Sequence, residues 1–175
     1  MTPEQIETIL DTALANFVGD PRFKSSGAFL LERDANERTM AHHLAIHLIP
    51  HFNGWDIDCE YNRDGSDDNK TLELPKRTQP TSMDVDARTV YPDIIVHHRG
   101  DGGAENNLLI IEIKKSSNKL ETEYIFDRVK LRQFQKELGY RHAYLLVLET
   151  DGSLGLAVPW KLERVPVTYQ APDEN

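Results

Sequence analysis

The chain has 175 residues, of which 39% are hydrophobic and 28% are charged, and this composition excludes a wholly disordered chain. The formal net charge of −9 disfavours a protein that coats nucleic acid, but not a nuclease whose carboxylates hold a cation. The single cysteine, Cys59, excludes an internal disulfide and a cysteine-based zinc site. The pattern holds no membrane-spanning run and no signal sequence, so we expect a cytoplasmic protein.

The first half of the chain contains two predicted helices and one predicted strand. Apolar residues at helical spacing predict a first helix over 3–18 and a second over 35–52. Asp34 or Asn36 is the expected N-cap of the second helix. Alternating apolar and acidic residues then predict a strand over 55–61 with one acidic face.

The middle of the chain combines a long polar stretch with a hairpin and a helix. Residues 62–90 are rich in Asp, Thr, Pro and Arg and predict a long variable surface loop, of the kind that often carries function. Two strands follow, over 90–98 and 107–115, joined by a glycine-containing hairpin loop. A long helix is predicted over 120–138, with Gly139 as its stop.

The last part of the chain completes the predicted sheet. A continuous apolar run predicts a buried strand over 143–148, and one more strand is expected over 154–160 before a tail over 164–175. The element order ααβββαββ predicts an α/β fold in which helices flank a central mixed β-sheet. We expect one domain over 1–175, with its core at about 35–160.

The predicted hairpin brings one acidic residue on each strand together. If its loop is centred between Gly102 and Gly103, opposed residues have numbers that add up to 205, so Asp93 lies opposite Glu112. Side chains two apart share a face, so Glu112 and Lys114 point the same way. Carboxylates about 5 Å apart repel unless a cation lies between them, and Mg²⁺ or Mn²⁺ prefers oxygen ligands.

Lys114 and Glu37 extend this pair of carboxylates. A lysine beside a metal can orient a water and stabilise negative charge, while the metal lowers the pKa of that water. On the second helix, Glu37 shares a narrow stripe with Ala41 and Leu44, so it lies on the face expected to pack against the sheet. From there Glu37 would reach the start of the Asp93 strand and bind the metal through water, or bind a second metal. The set favours phosphodiester hydrolysis.

These residues resemble the motif of the PD-(D/E)XK nuclease superfamily, which has the restriction endonuclease-like fold. The match consists of Glu37 on a helix, Pro92-Asp93 on one strand and Glu112-x-Lys114 on the next. A helix and a further strand follow, as in the αβββαβ core of that superfamily. The resemblance covers roughly residues 35–149.

The resemblance implies a metal-dependent nuclease that acts on DNA. Asp93, Glu112 and the Ile113 carbonyl would hold Mg²⁺ or Mn²⁺, and Lys114 would position the attacking water. We expect a nucleic-acid partner, no membrane partner, and either a homodimer or a protein partner in a larger complex. Basic residues concentrate after the motif and are expected at phosphates: Lys115, Lys119, Arg128, Lys130 and Arg132.

Other polar residues leave alternatives open. His43, His47 and His51 are spaced by four and either bind Zn²⁺ or Ni²⁺ or form a polar border beside the apolar stripe. Asp58 and Glu60 share a strand face and either join the metal cluster or form a solvated acidic face. At the level of function, the alternatives are a catalytically silent nuclease-like module that binds nucleic acid or protein, and a small structural protein with a metal-binding histidine helix.

Overall fold

The computed structural model describes residues 1–19, 26–64 and 68–167. The helices are α1 (Pro3–Gly19), α2 (Gly27–Glu32), α3 (Glu37–Leu48) and α4 (Glu121–Leu138), with 3₁₀ turns at Ile49–His51 and Ala104–Asn106. The strands are β1 (Asp56–Asp58), β2 (Arg63–Asp64), β3 (Asp68–Asn69), β4 (Thr71–Pro75), β5 (Val85–Thr89), β6 (Ile94–His97), β7 (Asn107–Lys115), β8 (His142–Leu148) and β9 (Trp160–Arg164). No helix in these described segments is long and apolar enough to cross a membrane.

The central sheet has five strands in the order β1-β6-β7-β8-β9. The β7 and β8 strands run parallel and α4 connects them, whereas every other neighbouring pair in this sheet is antiparallel. A parallel pair needs such a crossover, and an 18-residue helix provides it. The prediction of an α/β fold with a central mixed sheet and flanking helices is therefore confirmed.

Each face of the sheet packs against different helices because side chains alternate along β7. Leu109, Ile111 and Ile113 belong to a buried cluster that includes residues of α1 and α3. Ile110 points to the other face and packs with Phe126 and other residues of α4. Glu112 and Lys114 share the face of Ile110, and this places the motif residues of β7 beside α4.

The hairpin of β6 and β7 has the predicted register. Ile94 pairs with Ile111, and the next two pairs keep the same sum of residue numbers before the register shifts between Val96 and His97. The predicted helix before β8 is also confirmed, and it ends at Gly139, whose backbone is left-handed with φ of 72°. A Cβ at this glycine would also clash with Ala104 of the hairpin loop, so the position excludes larger residues for two reasons.

Two predicted helices in the first half are present with modest changes. The N-terminal helix spans α1 as expected. The second helix begins later than predicted because Asn36 is its N-cap and accepts a hydrogen bond from the Arg38 amide. It also ends earlier, at Leu48, where a 3₁₀ turn containing Pro50 takes over. The short helix α2 has no counterpart among the predictions.

The loop expected over 62–90 contains more structure than its composition indicated. It forms two small antiparallel ribbons, β2 with β3 and β4 with β5. Leu72 and Leu74 of the second ribbon are buried against α4, so this segment is part of the fold. We call the β4–β5 ribbon with its connecting loop the arm.

Three predicted strands have clearly different bounds in the structure. The strand expected over 90–98 is only Ile94–His97, so Asp93 lies just before it and is not paired with Glu112. The strand expected over 55–61 ends at Asp58, because Glu60 adopts a left-handed backbone with φ of 52° and turns the chain. The strand expected over 154–160 begins only at Trp160. Before it, the Glu149 carboxylate accepts hydrogen bonds from backbone amides of Ser153 and Leu154, and such local bonds compete with strand pairing.

The expected C-terminal tail divides into two parts. Arg164 still belongs to β9, and Val165 is buried with its amide donating to the Ala143 carbonyl. The remaining tail prediction, over 168–175, lies outside the described residues. The folded core therefore extends a few residues beyond the expected boundary.

Candidate active site

The candidate site begins where β7 extends beyond its partner β6. The last residue pair between them joins Ile94 to Ile111, whereas β7 continues to Lys115. Backbone amides on this uncovered edge need other acceptors. The Ile113 amide donates to Asp93 Oδ2 at 2.7 Å, and the Lys115 amide donates to an oxygen of Glu37, described next.

Glu37 reaches this edge from α3, as the helical stripe predicted. Its Oε1 accepts a hydrogen bond of 3.1 Å from the Lys115 amide. This amide lies two residues after the Ile113 amide, which donates to Asp93. Two carboxylates from different elements thus follow each other along one strand edge. The two carboxylates also interact electrostatically. Burial is the main cause of the raised pKa of Glu37, and the charge of Asp93 raises it further.

Glu112 and Lys114 point from the other side of the same strand toward α4, and each meets an opposite charge there. Lys130 Nζ lies 2.8 Å from Glu112 Oε2, and Lys114 Nζ lies 2.8 Å from Asp127 Oδ2. All four side chains are buried. The predicted shared face of Glu112 and Lys114 is confirmed, and α4 supplies a counter-charge to each.

Burial changes the protonation of the acidic groups. It raises the pKa of Glu112, because the lowering effect of the Lys130 ammonium does not offset the loss of water and the charges of Asp93 and Asp127. Burial likewise raises the pKa of Asp93 against the opposing Ile113 amide and the two nearby lysines. The positive charges of the nearby lysines therefore do not offset the cost of burying these carboxylates.

Lys114 shows the reverse behaviour. Burial would lower its pKa, but the carboxylate of Asp127, followed by those of Glu37 and Glu112, raises it above the ordinary lysine value. The side chain therefore carries its positive charge throughout the neutral pH range. A charged lysine here can stabilise an anion.

These residues line one pocket of about 660 Å³ between α3, α4, the uncovered edge of β7 and the arm. Glu37, Asp93, Glu112 and Lys114 all contribute to its wall, as predicted for a shared site. Six acidic and six basic side chains line it in total, so its formal charges balance within a chain of net charge −9. The balance makes this pocket more favourable to an anion than the acidic surface around it.

The oxygen atoms near Asp93 and Glu112 include the kinds that a hard divalent cation prefers. Glu112 Oε1 is buried and, among the described residues, has no hydrogen-bond partner. The amide and carbonyl of one strand residue point to the same side, so the Ile113 carbonyl faces the edge at which Asp93 lies. Two carboxylates and one carbonyl are the donors that Mg²⁺ or Mn²⁺ prefers, so the residues fit such an ion.

No three His, Cys, Asp or Glu side chains within 1–19, 26–64 and 68–167 form a ready-made metal group. The expected set contains two carboxylates and a backbone carbonyl. The ammonium groups of Lys114 and Lys130 lie among the pocket carboxylates. Cation binding at this edge would therefore use Glu112 Oε1, the oxygen that Lys130 leaves unpaired.

The five basic residues expected at phosphates lie in different places. Lys115 and Lys130 line the pocket, although Lys130 is buried in its pair with Glu112 and Lys115 contacts Asp34. Lys119, Arg128 and Arg132 lie outside the pocket wall. Lys119 forms an ion pair with Asp151. Two guanidinium nitrogens of Arg128 donate hydrogen bonds to the two carboxylate oxygens of Glu163. The helix thus directs one of its predicted bases, Lys130, into the site.

The three histidines and Asp58 lie outside the pocket wall, whereas Glu60 lies at its rim. His47 is buried with its ring edge against Phe17, and His43 and His51 are partly exposed, so the placement matches a polar border of the apolar stripe. Asp58 binds Arg99 and His97 rather than the pocket residues. Glu60 lies at the pocket rim and pairs with an arginine of α3.

Sequence reasoning missed the role of Asp127 and expected Lys130 at phosphates rather than in a buried pair with Glu112. Both residues lie on the face of α4 that also buries Phe126, Leu131 and Phe134. Two opposite charges three positions apart within an apolar stripe are unusual, because charged residues are seldom fully buried unless paired. That pattern is the signal that could have found them. A scan against known protein families, a search of curated proteins and a search of solved structures found no match to this chain.

Proposed function

We propose that this protein is a metal-dependent nuclease with a restriction endonuclease-like core, and that it hydrolyses phosphodiester bonds in DNA. The observation that supports this proposal most strongly is the meeting of Glu37, Asp93, Glu112 and Lys114 in one pocket, with Glu112 Oε1 left unpaired. Perturbed carboxyl pKa values in a cleft are typical of functional sites. The helix, hairpin, helix and strand that carry these residues match the order of the superfamily core.

The residues of the chain divide the work of such a reaction among them. Asp93, Glu112 and the Ile113 carbonyl would hold the cation. When bound, a divalent cation would supply a water of lowered pKa, Lewis acidity and the excess positive charge that the balanced pocket lacks. Lys114 remains charged beside Asp127 and would stabilise the negative charge that develops on the phosphate.

Glu37 and α4 act by positioning. Glu37 is anchored by the Lys115 amide, which keeps its carboxylate at the strand edge where it can orient a water. Asp127 holds the Lys114 ammonium in place, and Lys130 holds one oxygen of Glu112. A nuclease of this kind derives most of its rate from such positioning and from charge stabilisation.

Cleavage of a mixed panel of labelled DNA and RNA with Mg²⁺ or Mn²⁺ tests the proposal. We expect metal-dependent cutting by the wild type and a loss of at least about 100-fold in Asp93→Ala and Lys114→Ala, because each removes a charge that acts in the transition state. Asp101→Asn, an exposed acid of the hairpin loop, is the matched control and should cut like the wild type. Equal cutting by Asp93→Ala and the control would reject the proposed site.

One observation favours a second candidate, a catalytically silent module that binds nucleic acid or protein. Glu112 and Lys114 are both engaged in buried ion pairs, and a closed set of ion pairs can serve stability alone. This candidate predicts that the wild type cuts none of the panel with either metal. It also predicts that Asp93→Ala leaves partner binding unchanged.

A further inference from the structure

The arm forms a wall of the pocket that the proposed chemistry does not use. Leu74, Arg77 and Arg88 of the arm line the pocket together with the motif residues, and the lining continues along the chain to Tyr91. Tyr91 immediately precedes Pro92 and Asp93. The arm and the catalytic edge are therefore two sides of one cleft.

Arg88 is placed on the inner face of the arm. It is the cross-strand partner of Leu72, so both side chains lie on the face that packs toward α4. Its guanidinium lies 3.7 Å from Asp86, whereas Arg77 and Arg38 are 2.7 Å and 2.6 Å from their acidic partners at the rim. Arg88 thus combines a position in the pocket with the longest of these three ion pairs, as expected of a group that binds an incoming anion.

Tyr91 offers an aromatic surface on the same wall. The residue is 55% exposed although it lines the pocket. Its backbone is held, because Lys130 Nζ donates to the Tyr91 carbonyl at 3.3 Å and the following proline favours an extended conformation. An exposed ring and an arginine that line the same pocket provide a stacking surface and a phosphate contact within one short segment.

We propose that Arg88 and Tyr91 form a binding subsite for one unpaired nucleotide beside the bond to be cut, so that the protein acts on single-stranded nucleic acid. This inference rests on the proposed function. A base can stack on Tyr91 only when it has left a duplex, and stacking of this kind tolerates every base. A pocket of about 660 Å³ has the volume of a small-molecule site and suits a nucleotide rather than the cross-section of a duplex.

Fluorescence anisotropy with a fluorescein-labelled 12-nucleotide DNA strand, alone or annealed to its complement, tests the subsite in Ca²⁺ buffer. We expect the wild type to bind the single strand more tightly than the duplex. Tyr91→Ala should weaken single-strand binding about tenfold, and Tyr91→Phe should restore it because the ring remains. Arg88→Gln should weaken binding and reduce the slope of log affinity against log salt by about 0.7.

The matched control is Arg164→Gln, which removes an exposed arginine from β9 at the far edge of the sheet and should bind like the wild type. Three results would each overturn the subsite. The wild type could bind neither the single strand nor the duplex, it could prefer the duplex, or Tyr91→Ala could bind the single strand as tightly as the wild type. Hydrolysis of bis(4-nitrophenyl) phosphate with Mn²⁺ reports on the chemistry alone. Tyr91-dependent strand binding without that hydrolysis would reject the proposed function and retain the subsite.

Discussion

Two acidic clusters lie at opposite ends of β6, and they differ in how well their charges are satisfied. After the strand, Asp58 of β1 accepts hydrogen bonds from Arg99 at 2.6 Å and 3.0 Å and from His97 at 2.9 Å. Burial alone would raise the pKa of Asp58, but these partners lower it below the ordinary value. In the cluster near the start of β6, the pKa values of Asp93 and Glu112 are instead both raised, mainly by burial.

The difference separates a structural ion cluster from a candidate functional one. Asp58 accepts two hydrogen bonds from the guanidinium of Arg99, whose side chain is half exposed. Glu112 has one lysine for two oxygens, in a buried place where an unpaired oxygen is costly. A bound cation is one explanation for such an unsatisfied buried oxygen, and the predictions below test the contrast between the two clusters.

The largest expected effect follows from removing the single counter-charge of Glu112. Lys130→Met should reduce the free energy of unfolding by about 3 kcal/mol, because the buried Glu112 loses its ion-pair partner and must then stay unpaired or take up a proton. The double variant Glu112→Gln with Lys130→Met should recover most of this loss, since both charges are then gone. Urea unfolding curves measure the three differences.

The matched change in the other cluster is Arg99→Met. We expect it to cost about 1 kcal/mol, because Arg99 is half exposed and Asp58 keeps its hydrogen bond from His97. Equal losses for Lys130→Met and Arg99→Met would mean that the two clusters are energetically alike. The contrast between a satisfied and an unsatisfied cluster would then fail.

A smaller effect is expected in the pH dependence of stability. The raised pKa of Glu112 means that the folded state binds more protons than the unfolded chain above the ordinary value of 4.5, so this group's contribution falls as the pH rises. The lowered pKa of Asp58 acts oppositely. Its contribution is fully present above 3.8 and is lost as the pH falls through the folded value.

The two opposite pH dependences are checked by measuring the free energy of unfolding of Glu112→Gln and of Asp58→Asn against that of the wild type, from acid to about pH 8. Glu112→Gln should gain on the wild type as the pH rises from about 5 to about 8. Asp58→Asn should be less stable than the wild type near neutral pH and approach it in acid. Parallel curves for the two variants would show that both carboxylates have the same environment.

Much of the site was predictable because it depends on local patterns. Strand alternation and a short hairpin loop are enough to set the register that brings Asp93 to the edge of β7, and helical periodicity is enough to bring Glu37 there. These relations involve neighbouring elements and fixed repeat lengths. The register shift came after Val96, beyond the motif, so it did not disturb the prediction.

The pairing of β7 with α4 could not be predicted in the same way. It depends on the rotation of a crossover helix about its axis, which packing of Phe126 and Phe134 sets in three dimensions. The arm was missed for a related reason, since Leu72 and Leu74 give only a short alternation that ends at Pro75. Its burial comes from contact with α4 and not from its own sequence.

Direct binding of Mn²⁺, measured by isothermal titration calorimetry, tests the central claim that the uncovered edge of β7 is a cation site. The account predicts binding to the wild type that is lost in Asp93→Asn and in Glu112→Gln. Asp58→Asn, the acid of the satisfied cluster, should bind Mn²⁺ like the wild type. Absence of binding to the wild type, or the same affinity in Asp93→Asn and Asp58→Asn, would contradict the account.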